Sequence, residues 1–335
     1  MQGLRLLLPE FGLALAALGL MACDLFFHPR HGKVLMGLGF VMAGAALGSL
    51  GLAHNAPELY QGLGTLWVVD PISLFFKAVV LATSVFVLML SIDYKPTAEN
   101  RHPGSFAALV LLSAVGMMLL VSATDLLLIF LALELVSITS FILVGFERRD
   151  LKSSEGAIKY FLFGAFSSAI FVYGISLIYG ALGATSLIAI HPPAGEGPAL
   201  MLLVGCLMLA VGFGFKVSMA PFHFWVPDAY EGAPMPVTTF LSVAPKAAAL
   251  GVMVRVFNQL IPHTQLELQG VFSVLAILTM SVGNLSALFQ TNIKRLLAYS
   301  SIAQAGYLLI GFVTADQLGR EGLLLYTFVY VFMNL

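Results

Sequence analysis

Three side chains are chemically out of place in this chain. Glu134 sits in LLLIFLALELVSITSF, Lys216 in GFGFKVSMAPF and Lys246 in FLSVAPKAAALG. Each lies inside a long apolar run. A charge at the middle of a bilayer costs at least ~2.5–3.5 kcal/mol on insertion scales, so such a residue faces a partner or a wet cavity. An amine that changes its hydration and its distance from a carboxylate changes its hold on a proton. Lysine can give that proton up, whereas arginine in practice cannot. Glu134 and Lys216 moving together or apart could therefore pass a proton along, with Lys246 as the next station. The competing reading is a set of charges that only hold helices together. Buried pairs are weak evidence for stability, since desolvation can cancel the attraction. Pro245 directly precedes Lys246 and Pro221 closely follows Lys216, which favours the relay.

The stretch MAPFHFWVPDAYEGAPMPVTTF carries Pro221, Pro227, Pro234 and Pro236. Each removes a backbone donor. In lipid, the freed carbonyls must be satisfied by protein or water. Broken helices at mid-membrane often line ion sites, so this stretch reads as a break in a span rather than only a tight turn. His223 lies in it. Its unperturbed pKa of ~6.5 makes it a secondary relay candidate, although a lone histidine also serves as a hydrogen-bonded structural residue. Lys77, shortly after Pro71, reads as a side chain that snorkels to the surface. No HExxH, Walker loop or dinucleotide-binding glycine motif occurs, and Cys23 and Cys206 form no metal or redox motif. No bound cofactor or metal is expected in this chain.

The elements that must position these residues are membrane helices. The 335 residues are 59% hydrophobic and 10% charged, with a net charge of −1 and a mean hydropathy of +0.97. Soluble domains run nearer ~45–50% apolar and ~25% charged. That composition excludes an ordinary soluble enzyme and a disordered protein, and the absence of a basic patch excludes a nucleic-acid binder. Long apolar runs exclude a β-barrel, whose strands alternate. A span needs ~20 apolar residues. Such stretches occur at 4–25, 33–53, 71–92, 105–122, 124–145, 157–181, 198–217, 234–257, 270–290 and 296–313, with another beginning near Leu323. Leu20-Met21-Ala22-Cys23 is similar to a lipoprotein cleavage site, but Pro9-Glu10 interrupts the run, which suits an uncleaved first span. With the N-terminus outside, the inner loops hold Arg30, Lys33, Lys95, Arg101, Arg148, Arg149, Lys152, Lys159, Lys294 and Arg295, and the outer ends only Arg5, Arg255 and Arg320. That satisfies the positive-inside rule.

Four separated motifs carry a resemblance. FHFWVPDAYEGAP at 222–234, followed by PVTTFLSVAPKAAA, resembles the antiporter-like subunits of respiratory complex I, the subunit N branch in particular. LLIFLALELVSITSFILVGF at 127–146, SSEGAIKYFLFGAFSSAI at 153–170 and NIKRLLAYSSIAQAGYLLIG at 292–311 fit the same family in the same order. The L and M subunits and the Mrp-type antiporters usually end the first motif differently. The match runs from about residue 100 onward.

The resemblance implies an all-α polytopic membrane protein with an antiporter-like fold, two inverted five-helix repeats and a broken helix, about 10–11 of its fourteen transmembrane helices being present here. Residues 1–100 would hold helices one to three, 101–260 the first repeat with its break near 216–230, and 265–335 the start of the second. The family's relay positions map onto Glu134, Lys216 and Lys246, with Lys159 and Lys294 at secondary positions near the inner surface. Its lysine on the twelfth helix would lie beyond Leu335, so the sequence reads as part of a longer chain. The implied function is proton translocation in the membrane arm of NADH-quinone oxidoreductase, in a bacterial inner membrane. NADH, FMN, Fe–S clusters and quinone would be bound by other subunits, and the partners would be the neighbouring membrane-arm subunits and the lipid bilayer, with no nucleic acid. The rivals are a stand-alone Na⁺(K⁺)/H⁺ antiporter, the membrane subunit of a ferredoxin- or F420H2-dependent relative, and a structural subunit without a channel.

Overall fold

The computed structural model describes residues 7–26, 32–54, 66–94, 102–189, 196–260, 268–314 and 316–335. Helices α1 (Leu8–Phe26), α2 (Gly32–His54), α3 (Pro71–Ser91), α4 (Pro103–Ser122), α5 (Leu126–Val144) and α6 (Leu151–Leu182) come first. They are followed by α7 (Glu196–Val217), the short α8 (Val226–Gly232), α9 (Met235–Leu260), α10 (Leu268–Leu288), α11 (Ile293–Thr314) and α12 (Gln317–Asn334). Ten of the described helices are long and apolar enough to cross a membrane.

The helix starts are written locally. Asp70 accepts a hydrogen bond from the Ser73 amide while the Ser73 hydroxyl accepts from the Asp70 amide, and Pro71 fills the first turn of α3. Asp125 takes the Leu127 and Leu128 amides at the start of α5, and Asp150 takes the Lys152 amide at the start of α6. Gly183 closes α6 at φ +70°, a left-handed conformation that glycine adopts without strain.

Two spans differ from the sequence expectation. Helix α6 begins at Leu151 rather than 157 and runs for 32 residues. At 1.5 Å per residue that is ~48 Å, well beyond a hydrocarbon core of ~30 Å. Its first three turns carry Lys152 and Lys159 and pack against α8. Helix α12 begins at Gln317 rather than near Leu323, because Asp316 caps it by accepting the Gly319 amide.

Helices α4 and α9 are enclosed over most of their length, whereas α1, α6 and α10 expose broad apolar faces. Successive long helices alternate in direction, so the bundle has two ends. The start of α3 and the end of α9 meet at one, where Arg255 on α9 binds both oxygens of Asp70 at 3.0 and 2.9 Å. The starts of α6 and α11 meet α8 at the other. Lys33, Arg148, Arg149, Lys152, Lys159, Lys294 and Arg295 belong to this second end, and Arg255 and Arg320 to the first. Arg5, Arg30, Lys95 and Arg101 lie outside the described residues.

The proline-rich stretch is a true interruption. Helix α7 stops at Val217, and α8 begins at Val226 after eight intervening residues. The break is stitched by hydrogen bonds that replace the missing helical ones. The Met219 amide donates to the Gly214 carbonyl at 2.7 Å, and the Trp225 indole donates to the Phe215 carbonyl at 3.1 Å. The Ala220 amide donates to Thr279 Oγ1 on α10 at 3.0 Å. These partners stand in for water in an apolar setting.

Candidate functional site

Glu134 lies midway along α5 and accepts a hydrogen bond from Ser168 on α6. Lys216 lies in the last turn of α7 and is 4% exposed. Its Nζ has no hydrogen-bond partner among the described residues. It is instead boxed by the rings of Phe141, Tyr160 and Phe215, at 5.8, 5.7 and 5.6 Å from their centroids. Aromatic faces attract a desolvated cation. Glu134 and Lys216 share one small cavity, lined also by Phe130, Ser137, Ser168 and Phe171. Its volume is about 10 Å³, roughly the room one water needs. The two groups thus line one cavity without a hydrogen bond or ion pair between them among the described residues.

Lys246 stands on α9, 1% exposed, directly after the in-helix Pro245. Its Nζ donates to the Ser301 carbonyl on α11 at 3.1 Å and also to the Ser301 hydroxyl. Two tyrosines converge on the same hydroxyl. Tyr230 Oη is 3.5 Å from Ser301 Oγ, and Tyr330 Oη is 3.4 Å from it while donating to the Ser242 carbonyl at 2.9 Å. Ser301, Tyr230 and Tyr330 escaped the sequence reading. Serine and tyrosine are ordinary in membrane helices, and only the packing of α8, α9, α11 and α12 brings these three together.

The two lysines are joined by aromatic rings. Lys216 lies over Tyr160, and Tyr160 stacks on Trp225 with centroids 4.0 Å apart. Trp225 meets Tyr230 edge-on at 6.3 Å, and Tyr230 presents its face to Lys246 at 5.9 Å.

The secondary candidates fall elsewhere. His223 is buried in the break, stacked on Phe224 with centroids 4.5 Å apart, and its Nδ1 has no partner among the described residues. It is not brought to either lysine by any described contact. Lys159 and Lys294 instead grip α8 at the charged end. Lys159 binds Asp228 at 2.7 Å and Glu155 at 2.6 Å. Arg295 binds Asp228 at 2.5 Å and Glu231 at 3.0 Å, while Lys152 binds Glu231 at 2.7 Å. Lys294 Nζ donates to the Glu231 and Ala233 carbonyls at the end of α8, at 3.2 and 2.9 Å. Gly156 and Gly232 allow backbone-close packing here. A Cβ on Gly232 would sit 2.2 Å from the Lys152 carbonyl oxygen. Burial alone would raise the Asp228 carboxyl, but hydrogen bonds from Lys159 and Arg295 outweigh it and hold it below the usual carboxylate range. Glu231 is held low chiefly by its hydrogen bond from Lys152.

Lys77 does not snorkel. It is 2% exposed, and its Nζ lies 2.7 Å from Glu10 Oε1, itself on a side chain 3% exposed. The sequence reading took Glu10 only as an interruption of the first span.

The family described as NADH:quinone oxidoreductase/Mrp antiporter, TM matches residues 123–335. The chain is 44% identical to NADH-quinone oxidoreductase subunit N of Moorella thermoacetica, over 100% of this chain and 70% of the relative. Among solved structures it is similar to a chain of respiratory complex I from Thermus thermophilus with bound aureothin, at 35% identity and TM-score 0.80, covering 96% of this chain and 67% of that one. It is also similar in fold to a chain of the Mrp complex from a Dietzia species, at 19% identity and TM-score 0.78, covering 96% of this chain and 61% of the other. The chain thus spans about two thirds of the length of the proteins it matches.

Proposed function

The chain belongs to the NADH:quinone oxidoreductase/Mrp antiporter family of membrane proteins, on its subunit N branch, and from that premise we propose that it translocates protons in the membrane arm of an NADH-quinone oxidoreductase. One observation carries the reading. Buried Lys216, without a hydrogen-bond partner among the described residues, and the carboxylate of Glu134 face one small cavity. In the separated state, the amine faces aromatic rings and the cavity it shares with Glu134. Closing the gap would favour the ammonium, and reopening it would release a proton. The next acceptor would be Lys246, which lies at the other end of the Tyr160–Trp225–Tyr230 stack. Ser301 and the two tyrosines then offer hydroxyls that hold and reorient the proton at Lys246 Nζ. His223, within the break, would be a secondary station.

The finer architecture follows the same premise. Helices α4 to α9 would form the first of two inverted repeats, with α10 opening the second, in a parent fold of fourteen helices. The arm's redox groups would be bound by other subunits, and its neighbours here would be further membrane-arm subunits. The concentration of basic residues at the end with α8 supports placing that end on the cytoplasmic side and the N-terminus on the outer side; the membrane would be a bacterial inner membrane.

The test is NADH-driven proton pumping in inverted membrane vesicles from a strain carrying the full-length gene, with NADH–ferricyanide reductase activity as the measure of assembled enzyme. Lys216→Ala and Lys246→Ala should each lower pumping while ferricyanide reduction holds. Unchanged pumping in both variants would refute the proposal. Unchanged NADH-driven pumping with loss of Na⁺/H⁺ exchange would instead identify a stand-alone antiporter.

A further inference from the structure

A second buried acid–amine pair lies outside the region that the family match covers. Glu10 on α1 and Lys77 on α3 are 3% and 2% exposed and 2.7 Å apart, whereas the matched residues begin at 123. Intramembrane charges are expensive and are kept for a reason. Lys77 also lies over the Trp67 ring, 4.5 Å from its centroid. Trp67 bridges to Ala123, and the Thr124 amide donates to the Leu66 carbonyl at 3.0 Å. That strand-like pairing stands just before Asp125, the cap of α5, which carries Glu134. On the other side, Asp70 caps α3 and holds Arg255 of α9 through both oxygens. Helix α9 carries Lys246, and its Gly251 packs against Phe76, the neighbour of Lys77. One charge cluster is thereby tied to the ends of α5 and α9, two of the three helices that present the relay groups.

We infer that Glu10 and Lys77 are positioning residues: their pairing anchors the Arg255 end of the bundle and so sets where Glu134 and Lys246 stand. This rests on the proposed proton relay. An anchor of this kind needs the charges, not merely the volume. Replacing a buried pair by apolar groups of similar shape often leaves a fold intact, so charge and packing can be separated. The experiment measures protons pumped per NADH oxidised in inverted vesicles, normalised by ferricyanide reductase. The variants are Lys77→Met, Lys77→Arg, Glu10→Gln and the double variant Glu10→Gln/Lys77→Met, with Lys216→Ala run in parallel. Lys77→Met, Glu10→Gln and the double variant should lower the ratio two- to fivefold, and Lys77→Arg should retain at least half of it. The double variant leaves no uncompensated charge, so it reports even where a single variant fails to assemble. A normal ratio in the double variant, or equal loss in Lys77→Arg and Lys77→Met, would overturn the inference. Normal pumping in Lys216→Ala would instead remove the relay reading on which it rests.

Discussion

At the scale of single residues, the contrast between Lys216 and Lys246 is instructive. Both are buried, yet one has only rings and a cavity around it and the other is hydrogen-bonded across to Ser301. Charge alone does not suffice at Lys216 if the proton must leave. Lys216→Arg should therefore fail much as Lys216→Ala does, with vesicle pumping lowered roughly fivefold or more, because arginine keeps its proton. At Lys246, Ser301→Ala removes one acceptor and leaves the backbone carbonyl. A typical hydrogen bond contributes about 0.5–1.5 kcal/mol net, so with the carbonyl still in place pumping should fall roughly two- to tenfold, and Tyr330→Phe should fall less. Loss-free pumping in Ser301→Ala would show that the carbonyl alone holds the amine. The lysines and Glu134 were legible in the sequence because a charge in an apolar run needs a reason. Ser301, 55 positions from Lys246 in the chain, was not, because its role comes from helix packing and not from its surroundings in sequence.

Among the elements, α8 has too few residues to be stable by itself; isolated helices shorter than ~12–15 residues are marginal in water. It is held by Lys152 and Lys159 from α6 and by Lys294 and Arg295 from α11. Asp228 and Glu231 have carboxyls held below their ordinary values. Their contribution is thus complete above the unfolded carboxyl pKa, ~4, and is lost as pH falls through the lower folded values. Proteolysis of the α8 segment in the purified complex should be flat from neutrality to about pH 5 and should rise below about pH 4. The α10–α11 contact depends on a different feature. A Cβ on Gly283 would meet the Ala303 amide nitrogen at 2.5 Å, and small residues permit such close helix approach in membranes. Gly283→Val should lower the amount of assembled enzyme in membranes, read by ferricyanide reductase, with little change in pumping per assembled complex. Span positions were readable because length and apolarity decide them. The start of α6 was not, since its first turns carry charges that no apolar count includes.

For the whole molecule, the alternation of helices predicts sidedness. In a variant with Cys23 and Cys206 replaced by alanine, Arg149→Cys should react with a membrane-impermeant maleimide only from the inner side. Gln317→Cys should react only from the outer side. The opposite pattern would invert the proposed orientation. The enclosure of α4 and α9 also has a consequence for how the chain is made. Helix α4, free of charged residues, partitions readily into lipid on its own. Helix α9 carries Lys246, Pro245 and Arg255, each a handicap for a segment leaving the translocon alone. Its partners α3 and α4 are synthesised earlier and present Asp70 to Arg255, whereas Ser301 is synthesised later. Insertion of α9 is accordingly assisted by a wall already in the bilayer, and Lys246 waits for its hydrogen bonds until α11 emerges from the ribosome.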